Sequence, residues 1–427
     1  MFRKDLRAIT LSVLLFVLYP CAIALAQDLP ISLDEAILIG LRDSRGILLK
    51  GEELKKAKAK IAESHADLFP ALTLTGGWTY TKGYYSKDLS QTNSQINLKQ
   101  YFYTGGRIFN TIKYNGYNFE VAKALLDKEK IETALSIKEA FYTLLLTQDF
   151  TELNKSLLDN GREHLNYTQE KQKFGEVSDS EVLRFKSSLS DLEEIYDSSV
   201  NQIISAKESL INLLYLDKEV NIIAVGNIAY EEAEVALDQG LLKALEERPE
   251  IKQYAAQINA DRSAVEIAKS GGRPSIYASW DYYSRSHAVT TTVNTKNWSD
   301  YSVLGATFSW PVFDGWKTKA KVEQAVFDLK KTQLLREKAI KDIILELKEA
   351  YLGLKDAILK IKSAQSELKL YADNLRVVNE KCGKGELSLL DKSDAGIKYS
   401  VSEFNKNQAA YDYVVAKARF DKATGGF

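Results

Sequence analysis

Cysteine, histidine and proline are scarce in this chain: across 427 residues there are 2 Cys, 3 His and 6 Pro. Two cysteines cannot form a disulfide framework, and so few Cys and His argue against a zinc site. With little proline and only 23 Gly, long unbroken helices are expected. Neither sign of charge dominates. The 57 Lys+Arg face 58 Asp+Glu, a formal net charge of -1, which gives no electrostatic basis for holding nucleic acid. Beyond residue 26 there is no apolar run of 18 residues, so no transmembrane helix is available. A mature chain that crosses a membrane must then do so as a closed β-barrel.

Enzymatic motifs are missing as well. Gly383-Lys384-Gly385 lacks the spacing of a phosphate-binding loop, and no nucleophile elbow is present. His65, His164 and His287 lie in three distant segments and make no catalytic constellation. The expectation is a protein without catalytic residues, metal or cofactor.

The chain is nevertheless well supplied with apolar residues, at 45%, and with 23 Tyr, 16 Phe and 5 Trp, many of them clustered. Its first 26 residues read as a secretory signal peptide. Arg3, Lys4 and Arg7 precede an apolar run from Ala8 to Tyr19, and Ala24-Leu25-Ala26 forms a small-x-small cleavage site before Gln27. Lipidation at Cys21 is the competing reading, but Pro20 stands where a lipoprotein signal needs a small residue. Cleavage leaves Cys382 as the one thiol.

A search for internal repeats organises the rest. Leu33, Asp34, Leu38, Leu41, Ile47 and Pro70 match Leu237, Asp238, Leu242, Leu245, Ile251 and Pro274, every pair 204 residues apart. Gly105, Phe141, Leu144, Leu158, Leu165 and Gly175 then match Gly315, Tyr351, Leu354, Leu368, Leu375 and Gly385, now 210 apart. The additional residues fall in the polar run 288–298, as an insertion at a loop tip would. The expected division is a first repeat at 27–220, a linker at 221–236 and a second repeat at 237–427.

Each repeat reads as a helix (33–68 with a break near Ser44–Gly46; 237–269 with a break at Pro249), two strands, a very long helix (110–174; 318–382) and a last helix (180–216; 390–424). Leu347, Leu354, Ile361, Leu368 and Leu375 recur every seventh residue, with Tyr351, Ile358 and Ala372 between them. That is a coiled-coil seam on a helix of about 95–100 Å. A secreted helical scaffold without a pore would explain it equally well. The strands decide against that alternative. In 71–82, Leu72, Leu74, Trp78 and Tyr80 alternate with Thr73, Thr75, Thr79 and Thr81; 275–283 and 302–312 alternate likewise. The run 94–102 is weaker, with Gln100 out of place. Alternation over about ten residues with aromatics near the ends is the membrane β-strand pattern. Four strands cannot close a barrel of about eight or more, so a spanning barrel must be shared between chains.

The mature chain resembles the TolC family of outer-membrane channel-tunnel proteins. The resemblance is carried by Leu33-Asp34-Glu35-Ala36, Phe69-Pro70, Arg273-Pro274, Trp310-Pro311-Val312-Phe313-Asp314-Gly315 and the segment 381–394. It implies an α+β homotrimer in the outer-membrane lipid, with a twelve-stranded barrel continued by a periplasmic α-helical barrel. It also implies a periplasmic adaptor, an inner-membrane transporter and export by efflux or type I secretion. On this resemblance, Asp391 and Asp394 ring the entrance, opposite Ser180 and Glu181. Cys382 and Leu387 stand where the family has an aromatic and a basic gate partner, so the closing bonds cannot be the usual ones. Six crowded carboxylates are expected to repel one another and to titrate high.

The cleavage-site pattern predicts a mature N-terminus at Gln27, or its cyclised form. Intact-mass measurement should show no acyl chain; a lipidated Cys21 as first residue would contradict it.

Overall fold

The structure, a computed structural model, describes residues 28–84, 87–216, 220–228, 230, 236–289 and 297–426. The expected signal segment with Cys21, the first residue after its expected cleavage site and most of the polar run 288–298 lie outside these residues. Two copies of one element series follow each other. The first contains β1 (Asp28–Ile31), α1 (Leu33–Asp43), α2 (Arg45–Ala66), β2 (Ala71–Tyr84), β3 (Lys87–Thr104), α3 (Arg107–Lys173) and α4 (Asp179–Leu214). The second contains β4 (Asn221–Ala224), α5 (Leu237–Glu247), α6 (Pro249–Ser270), β5 (Ser275–Val289), β6 (Asn297–Ser309), α7 (Lys317–Gly383) and α8 (Leu389–Ala423). Paired helices agree closely in length: α1 and α5 have 11 residues each, α2 and α6 22, α3 and α7 67, and α4 and α8 36 and 35.

Local chemistry sets the helix ends. Ser32 and Glu35 cap α1 reciprocally, the Ser32 N–H donating to Glu35 Oε2 at 2.9 Å. The expected breaks occur at Ser44 and Arg248, both with extended ψ (122° and 132°). Pro249 follows as the first residue of α6, where its missing N–H costs nothing. Before α3, the chain reverses through two left-handed residues, Gly105 (φ +63°) and Gly106 (φ +89°). A Cβ on Gly105 would stand 2.7 Å from that of Arg273, so the site also needs the absence of a side chain.

The four long strands form one antiparallel sheet in the order β2-β3-β5-β6. Its register explains the alternation. Leu72, Leu98, Trp280 and Leu304 form one row across all four strands. The next row, offset by one residue, holds Thr73, Asn97, Asp281 and Val303 on the opposite face. There Asp281 Oδ1 accepts hydrogen bonds from Gln95 at 2.9 Å and Asn97 at 2.6 Å, and Lys99 lies 3.9 Å from the Tyr277 ring centre. One face is thus apolar and the other carries bonded polar groups.

Several sequence expectations need correction, and β5 runs on to Val289 rather than ending at 283. β3 extends well beyond 94–102, because Ser90, Gln91, Thr92 and Asn93 pair with both β2 and β5 despite lacking apolar alternation. β6 ends at Ser309 rather than running to Val312; Pro311 has no N–H for a ladder and restricts Trp310 before it. Part of the expected linker is a strand, β4, which pairs in parallel with β1 and buries Ile222 and Ala224. Gln100, the misfit on the apolar face, donates to the Leu68 and Tyr101 carbonyls at 3.1 and 2.8 Å, tying β3 to the end of the preceding helix.

The cores lie where the helices meet β1 and β4. Ile137, Phe141, Leu144, Leu210 and Leu214 pack with Ile31 and Ile222. In the second copy Leu347, Leu354, Tyr413 and Phe420 are buried around Ala244. The upper seam residues Leu347, Leu354 and Ile361 are buried as expected, whereas Leu368 and Leu375 are only half-covered. At the α5–α6 break a buried Arg248 donates to Glu346 at 2.6 Å and to Glu250 at 3.2 Å, and Lys422 lies 3.3 Å from Glu346. Burial pushes the Glu346 carboxyl upward, but the Arg248 hydrogen bond and the two positive charges outweigh it and hold it below the usual range. Stability from this group is therefore present at neutral pH and is lost as the pH falls through the lowered pKa. The first copy has Ser44, Gly46 and Ser136 at the places of Arg248, Glu250 and Glu346, and so has no such clasp.

Replacing Arg248 by Met leaves Glu346 half-buried without its main partner. A loss of about 2 kcal/mol is expected at neutral pH. The difference from wild type, read by thermal unfolding in detergent, should shrink in acid as Glu346 protonates.

Candidate functional site

The residues that the sequence singles out lie at the two hairpin tips, α3–α4 and α7–α8, at the end of the molecule farthest from the sheet. Both tips are built alike. Gly175 (φ +74°) and Gly385 (φ +77°) end the long helices. Their N–H groups donate to the Gln172 and Cys382 carbonyls, and those of Glu176 and Glu386 donate to Lys171 and Lys381. This pair of bonds is the Schellman turn, which needs the left-handed residue that glycine supplies. Ser178 and Ser388 then open the next helices.

Beyond that frame the tips differ. Ser388 and Asp391 form a capping box: the Ser388 N–H and Oγ donate to Asp391 Oδ2 at 2.9 and 2.8 Å, and the Asp391 N–H donates to Ser388 Oγ at 3.2 Å. These bonds hold the Asp391 carboxyl below the usual carboxylate range. That direction is opposite to the one crowding alone would give. Asp394 is exposed one turn further along α8. On α4, Glu181 occupies the place of Asp391 but makes no box, because Ser178 Oγ is bonded to Ser180 Oγ at 2.9 Å instead. Ser180 and Glu181 are both exposed. Among the described residues, no hydrogen bond or ion pair links this pair to Asp391 and Asp394.

Cys382 and Leu387, the two expected departures from the gate pattern, both lie at the second tip. The Cys382 thiol donates to the Ser388 carbonyl at 3.2 Å, fastening the end of α7 to the start of α8. Gln172, its counterpart in the first copy, does the same by donating to Asp179 Oδ1 at 2.7 Å. Leu387 is half-buried in the turn. A 210-residue register between copies reveals the equivalence of Gln172 and Cys382, and it was available from the sequence.

The hairpins also differ along their seams. Gln148, Thr151 and Asn154 of α3 stand where α7 has Ile358, Ile361 and Ala364. Asn154 is buried, and neither its Nδ2 nor Gln148 Oε1 has a hydrogen-bond partner; Thr151 Oγ1 bonds the Ser199 carbonyl at 3.2 Å. Ile361 by contrast sits in a wholly apolar cluster with Ala364, Ala409 and Ala410. The polar seam is the weaker one, since buried polar groups without partners cost stability.

Among the described residues no arrangement resembles catalytic machinery. A concavity of about 690 Å³ is an open groove along α7 and α8. Several of its charges are paired: Lys360 with Asp412, Lys422 with Glu346, and Arg419 with Glu139 of α3. A smaller groove between α3 and α8 gathers Asp149, Glu152 and Glu403. Burial holds the Asp149 carboxyl above its usual range, although Asn407 donates to it at 3.1 Å. His65, His164 and His287 lie on α2, α3 and β5 and do not converge. Among the described residues no cluster could hold a metal ion, and no helix is long and apolar enough to cross a membrane.

The family described as outer membrane efflux protein matches residues 51–214 and 241–426, more than half of the chain and both copies. Several solved structures share the fold. The outer membrane channel CmeC of Campylobacter jejuni superposes with a TM-score of 0.76 at 16% identity, covering 92% of this chain and 85% of that one. The open state of the MtrE outer membrane channel of Neisseria gonorrhoeae gives 0.75 at 14% identity, covering 92% and 89%. The outer membrane protein VceC of Vibrio cholerae gives 0.72 at 14% identity, covering 92% and 96%. No match is found among curated protein sequences.

The capping box makes a prediction about pH and exchange. A lowered carboxylate pKa means that the Asp391 cap is intact above the ordinary carboxylate range and is lost as the pH falls through the lowered value. Asp391→Ala should speed hydrogen exchange of the first-turn amides of α8 at neutral pH and leave those of α4 unchanged. Equal exchange in variant and wild type would remove the cap.

Proposed function

The chain belongs to the outer membrane efflux protein family, and from that premise we propose that it is the passive outer-membrane conduit of an efflux assembly. The observation that carries this reading is the four-stranded sheet, with an apolar and a polar face and two unpaired edges, β2 and β6. It continues directly into helices of 67 residues, about 100 Å long. The apolar row Leu72, Leu98, Trp280 and Leu304 meets lipid, and the row around Asp281 faces a lumen. A secreted scaffold has no use for such a sheet, and the family assignment does not favour one.

Three chains complete the barrel, since three sheets of four give twelve strands, enough to leave a passage. The exposed stripe Phe327, Leu334, Leu345, Leu352 and Leu359 on α7 is then covered by a neighbouring chain. The repeats divide around the segment 221–236, whose first four residues form β4, with 27–220 before it and 237–427 after it. The helical barrel extends into the periplasm, where its tips meet a periplasmic adaptor and an inner-membrane transporter. Efflux, rather than type I secretion, is the export mode that the family's description supports.

At the tips, threefold symmetry brings Asp391 and Asp394 of every chain to one entrance, faced by Ser180 and Glu181. The Ser388 bonds hold the Asp391 carboxyl low within its own chain; the ring of acids attracts cations, and a bound cation or a proton relieves its repulsion. Cys382 and Leu387 leave the closed state without the family's usual lock.

Particle mass in detergent should correspond to three chains; a stable membrane-inserted monomer would overturn the architecture. In planar bilayers the pore should prefer cations and be blocked by divalent cations added at the helical end. Changing both Asp391 and Asp394 to Ala should weaken preference and block together; if neither changes, the acid ring is wrong while the conduit stands.

A further inference from the structure

The two copies differ at the turn from strand to long helix, and there one of them carries backbone strain. Both turns need two successive left-handed residues. The first copy uses Gly105 and Gly106; the second uses Gly315 (φ +67°) and Trp316 (φ +70°). A bulky L residue is disfavoured in that conformation, which glycine adopts freely. Strain at a single position points to a function that the side chain serves.

Within the chain that service is slight. Trp316 is 69% exposed, with Phe313 edge-on at 6.1 Å and Lys319 Nζ 5.6 Å from its ring centre. The start of α7 is closed without the indole, by Asp314 Oδ2 accepting from the Thr318 N–H at 2.9 Å. The register places the start of β2, the end of β3, the start of β5 and the end of β6 at one end of the sheet. Just past that end, Phe69, Phe109, Phe313 and Trp316 are all exposed, and Lys317 and Lys319 add positive charge.

We infer that Trp316, with Phe313 and Lys319, is a lipid anchor: its indole sits at the ester level of the periplasmic leaflet, and the lysine ammonium meets a phospholipid phosphate. This rests on the barrel reading above. A membrane surface suits the cluster because an indole combines an apolar body with an N–H and prefers the interface. The cluster also continues β6, whose Leu304 and Phe308 lie on the apolar, lipid-facing side. Anchoring here fixes the height of the long helices relative to the bilayer.

The test uses the full chain in phospholipid vesicles carrying bromine either near the acyl carbonyls or near the bilayer centre. One protein keeps only Trp316, with Trp78, Trp280, Trp298 and Trp310 changed to Phe; a second keeps only Trp280. Trp316 should lose about half of its emission to the shallow bromines and less to the deep ones, whereas Trp280 should respond more to the deep ones. If Trp280 is quenched and Trp316 is not, the anchor is overturned and the barrel survives; burial of Trp316 against a neighbouring protomer would give this result. If neither is quenched, the barrel reading itself fails. Should the multiply substituted chains not assemble, wild type and Trp316→Phe can be compared directly. Equal loss of emission to shallow bromines in the two would overturn the anchor.

Discussion

Lipid offers no hydrogen bonds, so every backbone N–H and C=O inside a bilayer must be paired by the protein. The sheet of this chain pairs β2 with β3, β3 with β5 and β5 with β6, and leaves one side of β2 and one side of β6 bare. Most other features follow from closing those edges. The sheet needs the sheets of other chains, and the sequence duplication supplies two strand pairs per chain rather than one. The same closure commits the helices below to a ring, because each pair of strands passes straight into a long helix.

Much of this architecture could be read from the sequence, because the signals were repetitive. A heptad seam in α7 and the period-two alternation in β2 and β5 each repeat a local rule many times, and matching copies 204 and 210 residues apart repeat it again. Helix ends came within a few residues because Gly175, Gly385, Ser388 and Pro249 each impose a specific backbone geometry. What could not be read were interactions that hold by pairing alone. β1 and β4 are four residues each and too short to show a period. The polar half of β3 is a strand only because β2 and β5 flank it. At the tip, the spacing of Ser388 and Asp391 spells a capping box, whereas the family resemblance points to the acid as a member of a ring. The two roles pull its pKa in opposite directions, and the geometry of one chain shows the capping role.

The two copies have kept one plan and divided its chemistry. The second has the clasp of Arg248 and Glu346, the apolar seam at Ile361 and the capped, acidic tip. The first has glycine at its strand-to-helix turn, an under-bonded seam at Gln148 and Asn154 and an uncapped tip. The first hairpin is therefore the softer of the two, and small displacements of the tip region should be concentrated in it.

The equality of α3 and α7, at 67 residues each, makes the pair a matched ruler. A helix advances 1.5 Å and turns by about 100° with every residue. A single insertion in one long helix would tilt the plane of the tips and rotate everything beyond it to a different side. Only a change of whole heptads, made in both helices and in their shorter partners, would keep the tips level and the seams aligned. The fold can thus alter its reach in large coordinated steps but hardly at all in small ones, while the loops at the opposite end vary without such a penalty.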